Sequence, residues 1–356
     1  FCSRRSADSD SGTVAFRRDT PSGVSRFFYR RRQDIMRNPF SEPISISESF
    51  SLPSRAILSP MEGIMNRNFF FDAARSLGLI DSWMPPFLGV PRGAAPSSKA
   101  LKRHLGHYFD SGIPLTVQLL GNDADSLAET ALRLWEYGVS SVNLNFACPS
   151  KTVLGSGSGG ALLREPDCAA EIVGAIRKRV PPLCLSVKLR SGFSSPGETE
   201  ELVRRICDSG VSWLLFHFRT VSENYAAVNG KEALQRIRNA VHAAGAVPVF
   251  GNGDIQAASD ARIMREESGC AGVAVGRGFL KNPFLLREIR GAEPDSHMRK
   301  SFLAELLRRA EDTSGRVKYD FYIECIKMAY GTGSGEFLCA IRKRAEFYSS
   351  KNIFSG

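Results

Sequence analysis

Residues 142–151 read Val-Asn-Leu-Asn-Phe-Ala-Cys-Pro-Ser-Lys, an alternating apolar run that ends in Asn145 and is followed three residues later by Cys148. Such alternation predicts a buried β-strand, and Pro149 stops the strand because proline has no backbone N–H to donate. In parallel α/β folds the carboxyl ends of the strands open onto the ligand crevice. Cys148 is therefore a candidate for chemistry, although most free cysteines are small buried hydrophobic residues.

Short apolar runs of this kind recur from Arg55 onward, and helical patterns lie between them. The predicted strands are residues 56–59, 83–88, 115–120, 142–146, 183–189, 213–217, 247–251 and 272–276. The predicted helices include residues 125–137, 166–179, 198–208, 231–244 and 257–267. Eight strands that alternate with helices predict a (β/α)₈ TIM barrel, an α/β fold. The second strand is the least regular, since Pro85 and Pro86 interrupt it.

Three regions are predicted along the chain. Residues 1–50 are expected to be a disordered or non-native N-terminal extension, because the first forty are rich in Ser, Arg and Gly without periodicity. Residues 51–285 are predicted to form the barrel. Residues 286–356, in which only helical periodicity remains, are predicted to form a small helical domain.

Composition excludes several classes of protein. No apolar stretch reaches the roughly 18 residues that a membrane-spanning helix needs. The eight cysteines never form a Cys-x-x-Cys pair, which argues against zinc ribbons and thioredoxin-like redox motifs. Free thiols fit a reducing compartment, so we expect a cytoplasmic protein. The five histidines show no ligand spacing beyond His104-x-x-His107, and no metal site is expected.

The net charge of +10 is unevenly distributed. Residues 1–40 contain nine Lys/Arg and four Asp/Glu, and residues 283–356 contain thirteen and ten, which leaves 25 and 23 for residues 41–282. Basic ends on a nearly neutral barrel suggest a polyanionic partner, with ordinary solvated surface as the alternative. In the predicted helical domain, Arg342-Lys343-Arg344 is the main basic run.

Polar side chains and glycines follow nearly every predicted strand, and a barrel would bring these strand ends to one face. The glycines in residues 251–254 and 276–278 have backbone N–H groups that can approach a phosphate. Lys188 and His217 suit an electron-rich, negatively charged ring system. Gln118 and Asn252 can each donate and accept hydrogen bonds, as the pyrimidine edge of a flavin demands. The glycine-rich residues 155–160 are interpreted as a flexible lid over the thiol.

The chain resembles the tRNA-dihydrouridine synthase family over roughly residues 55–350, most of all the bacterial type that acts on position 16 of the tRNA D-loop. The stretches that carry the resemblance are residues 59–63, 117–121, 145–153, 187–190, 217–220, 251–254 and 276–278. The resemblance implies an FMN-binding barrel and a C-terminal helical tRNA-binding domain. It also implies NADPH-dependent reduction of uridine to 5,6-dihydrouridine, and we expect a monomer.

The resemblance also implies roles for individual residues. The residues implied to line the FMN are Pro60, Met61, Glu62, Gln118, Lys188, His217, Asn252, Gly253, Asp254, Gly276 and Arg277. Cys148 is implied to be the proton donor to uracil C5, and Asn145, Arg190 and Tyr225 are implied to contact the flipped uracil and its neighbours. Phe218 stands where the family often has glycine, so it is expected to crowd the phosphate end of the flavin.

Two alternatives from other classes remain at this point. A flavin barrel of the dihydroorotate dehydrogenase kind would act on a free pyrimidine and would not need basic helices after the barrel. A catalytically inactive tRNA-binding protein would keep the basic helices and would lack flavin absorbance.

Overall fold

The computed structural model describes residues 38–62, 69–109 and 111–293, together with residues 297, 298, 301, 302 and 305. The strands in this part are β1 (Ile44–Ser47), β2 (Phe50–Leu52), β3 (Ala56–Leu58), β4 (Leu88–Gly89), β5 (Thr116–Leu120), β6 (Ser141–Phe146), β7 (Cys184–Arg190), β8 (Trp213–His217), β9 (Val249–Asn252) and β10 (Gly272–Val275). The α-helices are α1 (Phe69–Ser76), α2 (Ser98–Phe109), α3 (Ala124–Glu136), α4 (Lys151–Gly155), α5 (Pro166–Arg179), α6 (Thr199–Asp208), α7 (Gly230–Ala244), α8 (Ala258–Ser268), α9 (Arg277–Lys281) and α10 (Leu285–Ile289). Two 3₁₀ turns, Gly159–Arg164 and Pro196–Glu198, complete the described elements.

Strands β3 to β10 are parallel and form one sheet in the order β3-β10-β9-β8-β7-β6-β5-β4. This confirms the predicted (β/α)₈ barrel. The second barrel strand, β4, has only two residues, and a separate bridge pairs Trp83 with Leu115. Pro85 and Pro86 lie between the two pairings, and their missing N–H groups explain the interruption.

Side chains alternate between the helices and the barrel interior along each strand, as in β7. Leu185, Val187 and Leu189 are fully buried in the main core shared with the surrounding helices. The alternate residues of β7 point into the barrel. Of these, Cys184 packs in a second core inside the barrel, and Lys188 lines a cavity at the carboxyl ends of the strands. The period of two therefore places the strand's polar residues at the ligand face.

The hairpin of β1 and β2 lies at the other end of the barrel interior. Ile44, Phe50 and Leu52 pack in the second core with Trp213 and Phe250 of β8 and β9. The predicted boundary at residue 51 falls inside this hairpin. The compact unit that contains the barrel begins at Pro39.

The predicted boundary at residue 286 falls inside α10. Phe284, Leu285, Leu286 and Ile289 are buried in the main core of the barrel. Most of the predicted helical domain, including Arg342-Lys343-Arg344, lies outside the described residues. Among the described residues, no helix combines the length and apolar character that crossing a bilayer requires.

Candidate functional site

The candidate site is a cavity of about 250 Å³ at the carboxyl ends of the barrel strands. This volume is near the lower end of the roughly 300–1,000 Å³ typical of small-molecule sites. All the predicted site residues line it: Pro60, Met61, Glu62, Gln118, Asn145, Cys148, Lys188, Arg190, His217, Tyr225, Asn252, Gly253, Asp254, Gly276 and Arg277. The structure thus brings the whole predicted set together, and the individual roles remain predictions.

Several lining residues were not predicted as site residues: Ser59, Phe87, Ala147, Pro149, Ile255, Gln256, Ala274 and Gly278. Most of them flank a predicted residue, so the strand-end rule could have included them. Phe87 could not have been included in this way, because the second strand is interrupted and its pattern does not show which side chains face the barrel interior. Among the described residues there is no group of three or more His, Cys, Asp or Glu side chains that could hold a metal ion.

A chain of buried amide groups crosses β5, β6 and β7 beneath the cavity. Gln118 donates from Nε2 to Asn143 Oδ1 at 2.7 Å, and its Oε1 accepts from Asn145 Nδ2 at 3.0 Å. Asn143 Nδ2 donates to Ser186 Oγ at 2.8 Å. The Ser186 hydroxyl donates in turn to the backbone oxygen of Val142 at 3.2 Å.

The amide chain has a fixed direction because both of its ends are backbone groups. At the cavity end, Asn145 Oδ1 accepts from the backbone N–H of Ala147 at 3.1 Å and of Cys148 at 3.0 Å. At the other end, the Ser186 hydroxyl donates to the Val142 carbonyl oxygen, which can only accept a hydrogen bond. Reversing any amide in between would set donor against donor or acceptor against acceptor. The chain therefore orients Gln118 and Asn145 and anchors the Cys148 backbone.

Gly159 and Gly160 form a packed support behind Cys148, so the interpretation of these two glycines as part of a flexible lid is wrong, whereas Gly155 is exposed. Gly159 and Gly160 are buried, and Gly160 N–H donates to the Cys148 carbonyl oxygen at 3.0 Å. A Cβ on Gly159 would lie 3.1 Å from Cys148 Cβ and 2.7 Å from Val153 Cγ1. Glycine is needed here because the backbone of the 3₁₀ turn approaches Cys148 closely.

Arg190 connects two loops at the rim of the cavity. Its Nε donates to the Ala147 backbone oxygen at 2.9 Å, and its Nη1 donates to the backbone oxygens of Thr220 and Asn224 at 3.0 and 2.9 Å. With its side chain buried, Arg190 fixes the Cys148 loop to the loop after β8. Tyr225 stands beside it, 59% exposed, with the Arg277 guanidinium 4.9 Å from its ring centroid.

Lys188 and His217 face the cavity with pKa values displaced by burial. Burial, followed by the nearby Arg190 charge, lowers the pKa of Lys188 to about 7. Burial and the charge of Lys188 hold the pKa of His217 well below its usual range. His217 Nδ1 accepts the Arg219 backbone N–H at 3.1 Å, so the neutral ring carries its proton on Nε2. The cavity thus offers an ammonium group and a neutral N–H donor to a ligand.

The lowered pKa of Lys188 predicts a pH-dependent stability difference in the ligand-free protein. Between pH 7 and pH 10.5 the unfolded chain holds a proton on Lys188 that the folded chain has lost, so folding stability rises with pH in this window. Lys188→Met should therefore be more stable than wild type at pH 7. The gap should shrink by up to about 1.4 kcal/mol per pH unit between pH 7 and 9. Urea unfolding at both pH values measures the gap, and a pH-independent gap would contradict the assignment.

The glycine loops after β9 and β10 are held by a network of charged groups. Arg219 is buried and binds Asp254 through two hydrogen bonds of 3.0 and 2.5 Å. Arg277 Nη2 lies 3.6 Å from the same carboxylate, which therefore connects the two loops. Phe218 does not crowd the cavity as expected: it is buried against Gly253, where a Cβ would lie 2.4 Å from its ring. The side chain fills the space behind the loop.

A family model described as dihydrouridine synthase matches residues 57–333, more than half of the chain. The chain belongs to the dihydrouridine synthase family. This confirms the resemblance found in the sequence.

Among relatives in the dihydrouridine synthase family, the tRNA-dihydrouridine(16) synthase of Pseudomonas syringae pv. tomato is 34% identical over 254 residues, which cover 70% of this chain and 78% of that protein. The enzyme of the same name from Pseudomonas putida is 36% identical over 240 residues, with 66% and 73% covered. That from Neisseria meningitidis serogroup B is 33% identical over 258 residues, with 71% and 76% covered.

Solved structures with a similar fold include proteins outside the dihydrouridine synthases. Morphinone reductase superposes with a TM-score of 0.50 at 14% identity, covering 73% of this chain and 93% of that one. The old yellow enzyme from Trypanosoma cruzi superposes with a TM-score of 0.51 at 12% identity, covering 72% and 93%. At such low identity the likeness shows the barrel fold alone.

Proposed function

We propose that this member of the dihydrouridine synthase family reduces uridine in the D-loop of tRNA to 5,6-dihydrouridine, with FMN as bound cofactor, NADPH as reductant and Cys148 as proton donor. We further propose that it works as a monomer in the cytoplasm. The observation that carries the proposal is the position of Cys148 in one cavity with Lys188, His217 and the oriented amides of Gln118 and Asn145.

The residues present fit a flavin nucleotide. The Lys188 ammonium group makes no hydrogen bond in the described part of the chain and faces the cavity, so it can meet an electron-rich ring. Asn252 donates from Nδ2 to the Ala274 backbone oxygen at 2.6 Å, which leaves its side-chain oxygen available to a ligand N–H. Gly276 would hold the phosphate closely, since the nearest atom to a Cβ there is Met61 Sδ at 4.0 Å, across open space.

The charges of the site also fit a phosphorylated cofactor. Lys188, Arg190 and Arg277 line the cavity against two carboxylates, Glu62 and Asp254. Arg219, buried behind the loop, neutralises Asp254, so the phosphate end retains the positive charge of Arg277. A net positive cavity attracts a negatively charged nucleotide.

These residues would hold FMN, which, once reduced by NADPH, would supply the hydride for uracil C6. The Cys148 Sγ–H donates its proton to C5, so the C5–C6 double bond is replaced by two C–H bonds and the thiolate takes a proton back from solvent. A uridine in a folded tRNA must be extruded to reach this cavity. Arg190 and the glycine turn hold the Cys148 loop rigid, and such positioning at about 3–3.5 Å from the reacting atom supplies much of the rate.

Assays of the purified protein distinguish the proposed function from the two alternatives. Purified protein, NADPH and unmodified tRNA should give dihydrouridine, measured by mass spectrometry after nuclease digestion, and the protein should show flavin absorbance. Reduction of free uracil or oxidation of dihydroorotate without activity on tRNA would favour the free-pyrimidine enzyme. Tight tRNA binding without flavin or product would favour an inactive tRNA-binding protein.

Asn143→Leu should lower kcat/KM for tRNA by about 10- to 100-fold, because loss of a buried partner costs about 1–3 kcal/mol and frees the Gln118 and Asn145 amides. Thr116→Val is the matched control. It removes the Thr116–Ser141 hydroxyl bond of 3.0 Å, which joins the same two strands two residues further from the site. Thr116→Val loses one buried hydrogen bond and Asn143→Leu loses two, but only Asn143→Leu should lose activity. Equal losses would show that the amide chain only stabilises the fold.

A further inference from the structure

Residues 82–109 form a segment of the barrel that is basic and has no acidic residue. Residues 41–282 contain 25 Lys/Arg and 23 Asp/Glu, whereas residues 82–109 contain four Lys/Arg and no Asp/Glu. The rest of the barrel therefore has 21 basic and 23 acidic residues and is slightly negative. We call the four basic residues of this segment the basic rim: Arg92, Lys99, Lys102 and Arg103.

The basic rim begins beside the cavity. Phe87, which lines the cavity, directly precedes β4, and Arg92 lies in the loop that follows this strand. Helix α2 comes after that loop, so its first turn lies at the carboxyl ends of the strands, on the face of the barrel that carries the site. The basic rim therefore extends from the mouth of the cavity outward.

Three residues of the basic rim share one exposed face of α2. Lys99, Lys102 and Arg103 are spaced i, i+3 and i+4, which places their side chains next to one another. All three are exposed, while Leu101 and Leu105 on the opposite face are buried in the core. Their exposure is thus a consequence of how the helix packs.

Little in the described part of the chain neutralises these charges. Arg92 approaches Asp123 at 3.8 Å with its own side chain 80% exposed, which makes a weak pair. Lys99, Lys102 and Arg103 form no ion pair there. The first turn of α2 also has no acidic residue, unlike α3, α5, α6, α7 and α8.

We infer that the basic rim binds the sugar–phosphate backbone of the tRNA next to the uridine that enters the cavity. The inference rests on the proposed function. An extruded base keeps its backbone at the mouth of the cavity, so the neighbouring phosphates must cross the adjacent surface. From Lys99 to Arg103 the helix rises about 6 Å, so the three cations lie close enough together to bind neighbouring phosphates of one strand.

The test uses the full-length, flavin-loaded protein and two triple variants. In the rim variant, Lys99, Lys102 and Arg103 are changed to Gln. In the control variant, Lys178, Arg204 and Arg262, which are exposed on α5, α6 and α8, are changed to Gln. Both variants lose three positive charges, so any difference between them reports position. A third variant, Lys99→Arg with Lys102→Arg and Arg103→Lys, keeps the charge of the rim.

Affinity for unmodified tRNA is measured from 50 to 200 mM salt. The rim variant should bind about tenfold or more weakly, and the log–log salt slope should fall by about 0.7–0.9 for each phosphate that the variant no longer neutralises. The KM for tRNA should rise while kcat at saturating tRNA stays close to wild type. The control and the charge-preserving variant should retain affinity and slope.

Three results would overturn the inference: an unchanged slope in the rim variant, equal weakening in the control variant, or weakening in the charge-preserving variant. Each of them leaves dihydrouridine formation by wild type intact. Wild-type protein that neither binds tRNA nor forms dihydrouridine would remove the proposed function itself, so the two failures are distinguishable.

Discussion

Cys148→Ala is expected to lose most of its uridine reduction, by about 10²- to 10⁴-fold, which is the usual contribution of a general acid. FMN binding and NADPH oxidation should be retained, because the thiol takes part only in the proton transfer. The backbone bonds that anchor residue 148, from Asn145 and Gly160, do not involve the side chain and should survive the substitution.

The measurement for Cys148 is single-turnover reduction of tRNA by the prereduced protein, followed by mass spectrometry. Cys168→Ala is the control, since Cys168 is an exposed thiol on α5. Full activity of Cys148→Ala at neutral pH would rule out Cys148 as the acid. Loss of flavin from this variant would instead indicate that the thiol is structural.

Lys188→Met is expected to weaken FMN retention and to slow flavin reduction by NADPH by about 10²-fold. Loss of one preorganised charged donor in a site closed to water typically has this size. The Lys188 ammonium group faces the cavity without a hydrogen-bond partner in the described chain, so no side-chain hydrogen bond is broken by its removal. Methionine keeps the length and apolar stem of the side chain.

The Lys188 variant is assessed by flavin content after gel filtration and by stopped-flow reduction with NADPH. Lys178→Met, an exposed lysine on α5, is the matched control. Flavin content and reduction rate equal to those of wild type would show that Lys188 does not contact the cofactor. If reduction slows but flavin content does not change, the ammonium acts on reactivity and not on affinity.

Most barrel elements could be predicted because their signals are local. The alternation that ends at Asn145 and the helical pattern of residues 166–179 gave limits within one or two residues of the structure. The hairpin of β1 and β2 could not be predicted in this way. It is short, two of its seven strand residues are exposed serines, and its stability comes from contacts with Trp213 and Phe250, far away in the sequence.

The cavity could be predicted as a set of strand ends, but the contacts within it could not. Because the carboxyl ends of parallel strands form the ligand face, Gln118 and Lys188 could be placed at the cavity. The sequence around Gln118, however, does not show that its side chain pairs with Asn143 and Asn145. Gly159 and Gly160 were mistaken for part of a lid for the same reason. Whether glycine provides flexibility or permits close packing depends on distant neighbours such as Val221, which lies 2.8 Å from a Cβ on Gly160.

The central claim is that this protein reduces a D-loop uridine of tRNA by means of Cys148. It is tested most directly by mass-spectrometric mapping of dihydrouridine in tRNA from cells that lack the protein and are supplied with wild type or with Cys148→Ala. Wild type should restore dihydrouridine at one D-loop position, and Cys148→Ala should not. Identical dihydrouridine maps with and without the protein would contradict the claim.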